Sequence, residues 1–127
     1  MIYLSITVMG VFSVEAKVWH VADASKSTKV MFIVDTGATY TLMPSSTLKG
    51  LGVKPIRSAR LRLADSKLVE KPIGEIAIEI DGYSASATPV IFGEEGVYLL
   101  GATTMEQLGL APDPIEKKLK PTEALLM

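Results

Sequence analysis

A run of five apolar residues, Val30-Met31-Phe32-Ile33-Val34, leads without a break into Asp35-Thr36-Gly37-Ala38-Thr39, and this happens once in 127 residues. The run predicts a strand over Thr28 to Val34 buried on both faces. The small hydroxyl residue and the glycine after it allow a tight loop that holds the acid at the strand's end. Acid–base chemistry between carboxyl groups needs two of them, one charged and one protonated. This chain carries a single copy, so if it is an enzyme of that kind two copies must meet and each must supply an Asp35.

The length predicts one domain spanning residues 1–127 with a self-sufficient core. Hydrophobic residues make up 48 % and charged residues 21 %, which leaves apolar surface for an oligomer interface. A net charge of −1 lacks the signature of a nucleic-acid binder. With no cysteine, thiol nucleophiles, disulfide scaffolds and Cys-ligated metals are excluded; the composition agrees with the cytoplasm, where we expect the chain. The single histidine, His20, excludes a histidine-cluster metal site. A serine or threonine hydrolase would have to use His20 as its base, and no Gly-x-Ser-x-Gly elbow is present. Met1 to Val14 is apolar but lacks a basic leader and a cleavage pattern, and its alternation at Ile2, Leu4, Ile6 and Val8 predicts a strand. No stretch approaches 18 apolar residues, so no membrane span is expected.

Along the rest of the chain the pattern is mostly extended. Val11 to Ala22 alternates with Val14, Ala16, Val18 and His20 on one face, and Asp23-Ala24-Ser25-Lys26-Ser27 is polar turn material. Pro44 to Lys49 predicts a short helical segment ended by Gly50 and Gly52. Arg57 to Leu63 and Leu68 to Lys71 flank a polar tip, as in a projecting hairpin. Ile76, Ile78 and Ile80 share a strand face, and Asp81-Gly82 is a strong hairpin signal before the strand Tyr83 to Phe92. Val97 to Leu100 predicts a further buried strand ending at Gly101. Thr103-Thr104-Met105-Glu106 has the form of a capping box, with Gly109 placed to close its helix.

Asp35-Thr36-Gly37-Ala38, followed about 65 residues later by Leu99-Leu100-Gly101 and a short helix, resembles the retropepsin-like (retroviral-type) aspartic proteases, nearest their cellular bacterial and archaeal members. The resemblance covers roughly Val30 to Leu110. It implies an all-β closed acid-protease barrel with one short C-terminal helix, and an endopeptidase active as a homodimer. Asp35, Thr36 and Gly37 would be the catalytic residues, with a water activated between the two Asp35 carboxylates. Ala38, Thr39 and the hairpin tip Ala64, Asp65 and Ser66 would bind substrate, an extended peptide or unfolded protein. Leu99, Leu100 and Gly101 would support the active loop from below. No cofactor or metal is implied, and no nucleic-acid or membrane partner. Viral members carry an acidic residue where Thr39 stands and an arginine where Ala102 stands; both are absent here, so other contacts must hold the dimer. Their hairpin tip is glycine-rich, whereas Ala64 to Lys67 has no glycine. The alternative is a catalytically inactive dimer of the same fold that binds peptides or serves assembly. The apolar ends, Ile2 to Val8 and Leu125 to Met127, either join their own sheet or pair with a second subunit.

Overall fold

Alternation of apolar and polar residues in β1 (Ser13–His20) buries Ala16 and Val18, and the strand folds back through Val21-Ala22 into β2 (Asp23–Val34). The computed structural model describes residues 12–123. The apolar ends expected as strands therefore lie outside the described residues. The expected turn at Asp23 to Ser27 is strand instead: Trp19 pairs with Ser27 and Val18 with Thr28. Four polar residues in five are tolerated there because this end of the ribbon is largely exposed and needs no core face. Burial of β2 is also one-sided. Phe32 and Val34 point into the core while Met31 is 55 % exposed, so the apolar run does not mark a strand covered on both faces.

After the Asp35 loop come β3 (Thr41–Pro44) and the single-turn α1 (Ser45–Gly50), with Pro44 at its N-cap. Then follow β4 (Arg57–Arg62), the 13-residue β5 (Leu68–Ile80), β6 (Tyr83–Gly93), the two-residue β7 (Leu99–Leu100), α2 (Ala102–Leu108), and a hairpin of β8 (Leu110–Asp113) and β9 (Lys118–Pro121). The structure is mostly β. The β5–β6 turn is the expected one: Asp81 and Gly82 both take positive φ, 51° and 84°. The expected strand from Val97 is reduced to its last two residues.

The main sheet runs β1-β2-β7-β3-β6-β5-β4, and β1 also pairs with β5. Among the described residues that extra pairing closes six strands into a ring and leaves β4 outside it, attached only to β5. Two pairings are parallel, β2 with β7 and β3 with β6. Inside the ring Phe32, Met43, Ile76, Ile78, Ile80, Val90 and Leu100 are at most 1 % exposed. A separate small cluster joins Ala59, Ile73 and Ile91 to Tyr40, Leu42 and Leu61, so the root of the β4–β5 hairpin packs against residues that follow the Asp35 loop.

The capping box does not form. The N-cap of α2 is Gly101 and no side chain caps it. The first N–H groups of the helix are satisfied by main-chain oxygens of the Asp35 loop instead, as described below. Gly109 does close the helix, at φ 70°.

Candidate active site

Asp35 stands where β2 leaves the sheet. Its N–H donates to Leu100 O at 3.0 Å, continuing the parallel pairing of Ile33 with Leu99 and Val34 with Leu100. The carboxylate is oriented by its own loop, since Gly37 N–H donates to Asp35 Oδ1 at 2.9 Å. Ala38 N–H returns to Asp35 O at 3.2 Å and closes the turn. A Cβ on residue 37 would lie 3.2 Å from Asp35 Oδ1, so the glycine lets the main chain approach the carboxylate unhindered. Asp35 is half-buried, Thr36 and Gly37 are exposed, and Asp35 forms no ion pair among the described residues.

The loop is tied down from the far side. Ala102 N–H donates to Ala38 O at 2.8 Å and Thr103 N–H to Thr39 O at 3.0 Å. Two N–H groups that a helix start normally leaves unpaired thus bond to the Asp35 loop, which explains why α2 needs no side-chain cap. The carbonyls of Ala38 and Thr39 therefore face the fold. What remains open to a ligand at these positions is the exposed Thr39 side chain and the surface beside Gly37.

Leu99 and Leu100 are buried beneath the loop, and Gly101 follows them into contact with Tyr40. A Cβ at position 101 would lie 2.5 Å from Tyr40 C, 2.6 Å from Tyr40 O and 2.9 Å from Thr41 N, all main-chain atoms that cannot rotate away. Only glycine leaves room for this crossing.

Three residues below the loop escape a reading of the sequence. Thr41, Thr88 and Thr104 are 0 % exposed and are the buried polar side chains of the described chain. Thr104 Oγ1 lies 2.6 Å from Thr41 Oγ1 and 2.7 Å from Thr88 Oγ1, and Gly101 N–H donates to Thr41 Oγ1 at 3.1 Å. One hydroxyl on α2 thereby joins β3, β6 and the Gly101 crossing in a satisfied network. Thr104 falls inside the apparent capping box, which hides its part in the network; Thr41 and Thr88 belong to no motif.

Ala64, Asp65 and Ser66 form the tip of the β4–β5 hairpin. Ser66 N–H donates to Leu63 O at 2.9 Å and Lys67 N–H to Asp65 Oδ1 at 3.0 Å. Ser66 takes φ 69°, the left-handed conformation that a glycine would otherwise supply. His20 lies at the β1 end, its Nδ1 accepting from Ala22 N–H at 3.0 Å, as expected of a strand residue near the surface. It lines a concavity of about 340 Å³ with Val21, Gly52, Val53, Lys54, Ile56 and Glu75, none of them a residue of the Asp35 loop.

The sequence model of the aspartyl protease family matches residues 21–108, a span that contains both Asp35-Thr36-Gly37 and Leu99-Leu100-Gly101. Among solved structures the fold is similar to EIAV protease complexed with the inhibitor HBY-793, with a TM-score of 0.57, 15 % identity, and coverage of 90 % of this chain and 91 % of that one. It is likewise similar to the foamy viral protease–reverse transcriptase in complex with an RNA/DNA hybrid, with a TM-score of 0.58 and 15 % identity over 92 % of this chain. The chain spans 13 % of the length of that viral protein. No curated protein matches.

Proposed function

The chain belongs to the aspartyl protease family, with the fold of the retroviral enzymes, and on that premise we propose that it is an endopeptidase that works as a homodimer. Asp35 from each subunit would form the catalytic pair. Two carboxyl groups within hydrogen-bonding distance resist ionising together, so the pair holds one proton between them. The ionised member takes a proton from a water, which attacks the scissile carbonyl. The protonated member donates to the carbonyl oxygen, and no covalent enzyme intermediate forms. Such assistance contributes about 10²–10⁴-fold.

The observation that carries this reading is the placement of Asp35 itself. A single carboxylate per chain is held at the mouth of a loop by Gly37 N–H, with the exposed Thr36 beside it and a floor of Leu99, Leu100 and Gly101 below. Thr36 would bond across the twofold axis and Thr39 would line the groove. Ala64, Asp65 and Ser66 would close over an extended peptide, held by main-chain bonds.

The test is proteolysis of an unfolded protein between pH 3 and pH 7, with wild type beside Asp35→Asn. Cleavage by wild type and none by the variant is the expected result. Peptide binding by both proteins with cleavage by neither would instead mark a binding module of the same fold.

A further inference from the structure

The β4–β5 hairpin is unlike the rest of the chain in charge. Between Arg57 and Lys71 it carries Arg57, Arg60, Arg62, Lys67 and Lys71 against only Asp65 and Glu70, in a protein whose net charge is −1. None of its three arginines takes part in an ion pair among the described residues. Among the described residues β4 is also the outermost strand, with β5 as its one partner in the sheet.

The phase of the pairing decides what this edge presents. Leu63 N–H donates to Lys67 O at 2.8 Å, so these two residues bond across the hairpin. Counting back by twos in the register, Leu61 and Ala59 turn their main-chain groups toward β5. Arg62, Arg60 and Ser58 then turn theirs toward the open edge. The same alternation puts Ala59 and Leu61 on the covered face and Arg60 and Arg62 on the exposed one, Arg60 opposite Glu70 and Arg62 opposite Leu68. Arg62 donates to Ser66 O at 3.0 Å, which holds its stem along the strand. Beside Arg60 a hollow of about 320 Å³ is lined by Leu68, Val69 and Glu70.

We propose that the open edge of β4 is a docking strand for an extended segment bearing acidic side chains at alternate positions. Main-chain groups of Ser58, Arg60 and Arg62 would supply the ladder, and the two guanidinium groups would meet carboxylates two residues apart on the added strand. The like charges that keep a second β4 from pairing through this edge select an acidic strand in its place. Such a segment is substrate only if the peptidase reading holds; the docking itself does not need Asp35.

The Asp35→Asn protein is therefore the form to test, by fluorescence anisotropy with a labelled unfolded peptide carrying three glutamates at alternate positions. Binding about tenfold tighter than to the same peptide with glutamines is expected at low salt, with the preference shrinking as salt rises. The double variant Arg60→Gln/Arg62→Gln, on the same background and with an unchanged circular dichroism spectrum, should lose the preference. Lys26→Gln/Lys29→Gln makes the same charge change on the β1–β2 ribbon and should keep it. Equal binding of the two peptides overturns the assignment, as does a preference that survives loss of both arginines or vanishes with the lysines. Equal binding of a peptide with its three glutamates adjacent overturns the strand-edge geometry. If the acidic preference stands while wild type cleaves none of these peptides, the docking edge holds and the peptidase reading is the part that fails.

Discussion

The floor of the Asp35 loop and the β4–β5 hairpin are built on opposite plans. The floor draws main-chain bonds from β7 and α2, carries three buried hydroxyls, and crosses at a glycine with no space for a methyl group. The hairpin has one neighbouring strand at its root, a tip held by bonds within five residues, and mostly exposed side chains. The contrast teaches a division of labour. On the proposed function, a carboxylate that would face a second one needs a frame set by several elements at once, whereas a segment that would admit a polypeptide needs few ties.

The largest expected effect comes from breaking the floor at its tightest point. Gly101→Ala drives a methyl group into the Tyr40 main chain, and we expect a loss of about 3 kcal/mol in urea unfolding, with Asp35 displaced and proteolysis lost. Thr104→Val keeps the volume but removes the central hydroxyl. Thr41 and Thr88 are then left short of a partner in a dry interior, a cost of about 1–3 kcal/mol read from the same transition. A change below about 0.5 kcal/mol would mean that the network contributes little.

At the hairpin the sign reverses. Ser66→Gly relieves a left-handed residue, and a gain of up to about 1 kcal/mol is expected, offset in part by the greater freedom of glycine in the unfolded chain. The thermal midpoint should rise or hold while the floor is untouched; a fall would show that Ser66 makes a contact the tip depends on.

The smallest effect belongs to the β8–β9 hairpin, held by charge where the floor is held by buried hydroxyls. Lys120 beside Asp113, together with N–H groups of Glu116 and Ile115, lowers the Asp113 pKa to about 2. A carboxyl group depressed on folding contributes stability above its unfolded value, about 4, and that contribution is lost as pH falls through the folded one. Asp113→Asn should therefore melt below wild type at neutral pH, with the two melts converging as pH approaches 2. A gap that persists there would assign the effect to the turn bonds rather than to the charge.

Legibility in the sequence follows the same division. Asp35-Thr36-Gly37 and Leu99-Leu100-Gly101 carry the resemblance because each residue there meets a local demand that few others satisfy. Asp81-Gly82 and Gly109 are legible for the same reason, since left-handed backbone narrows the choice to a few residue types. The threonine network is not legible: its members are 16 and 63 residues apart, and one hydroxyl looks like any other until the fold buries it. The expected capping box fails because tertiary structure supplies the acceptors that a side chain would otherwise provide. Asp23 to Ser27 reads as turn because pattern reports burial, and an exposed strand has little to bury. β8 and β9 hide for a related reason, as Pro112 and Pro121 within them and Pro114 in their turn mask a short, half-exposed pairing.

The central claim is that one active site takes an Asp35 from each of two chains. Wild-type protein mixed in rising proportion with Asp35→Asn, at constant total concentration and after subunit exchange, tests it most directly. If both acids are required, activity falls as the square of the wild-type fraction, because mixed pairs are inactive. A linear fall would mean that each chain works with its own acid alone, and the shared site would have to be given up.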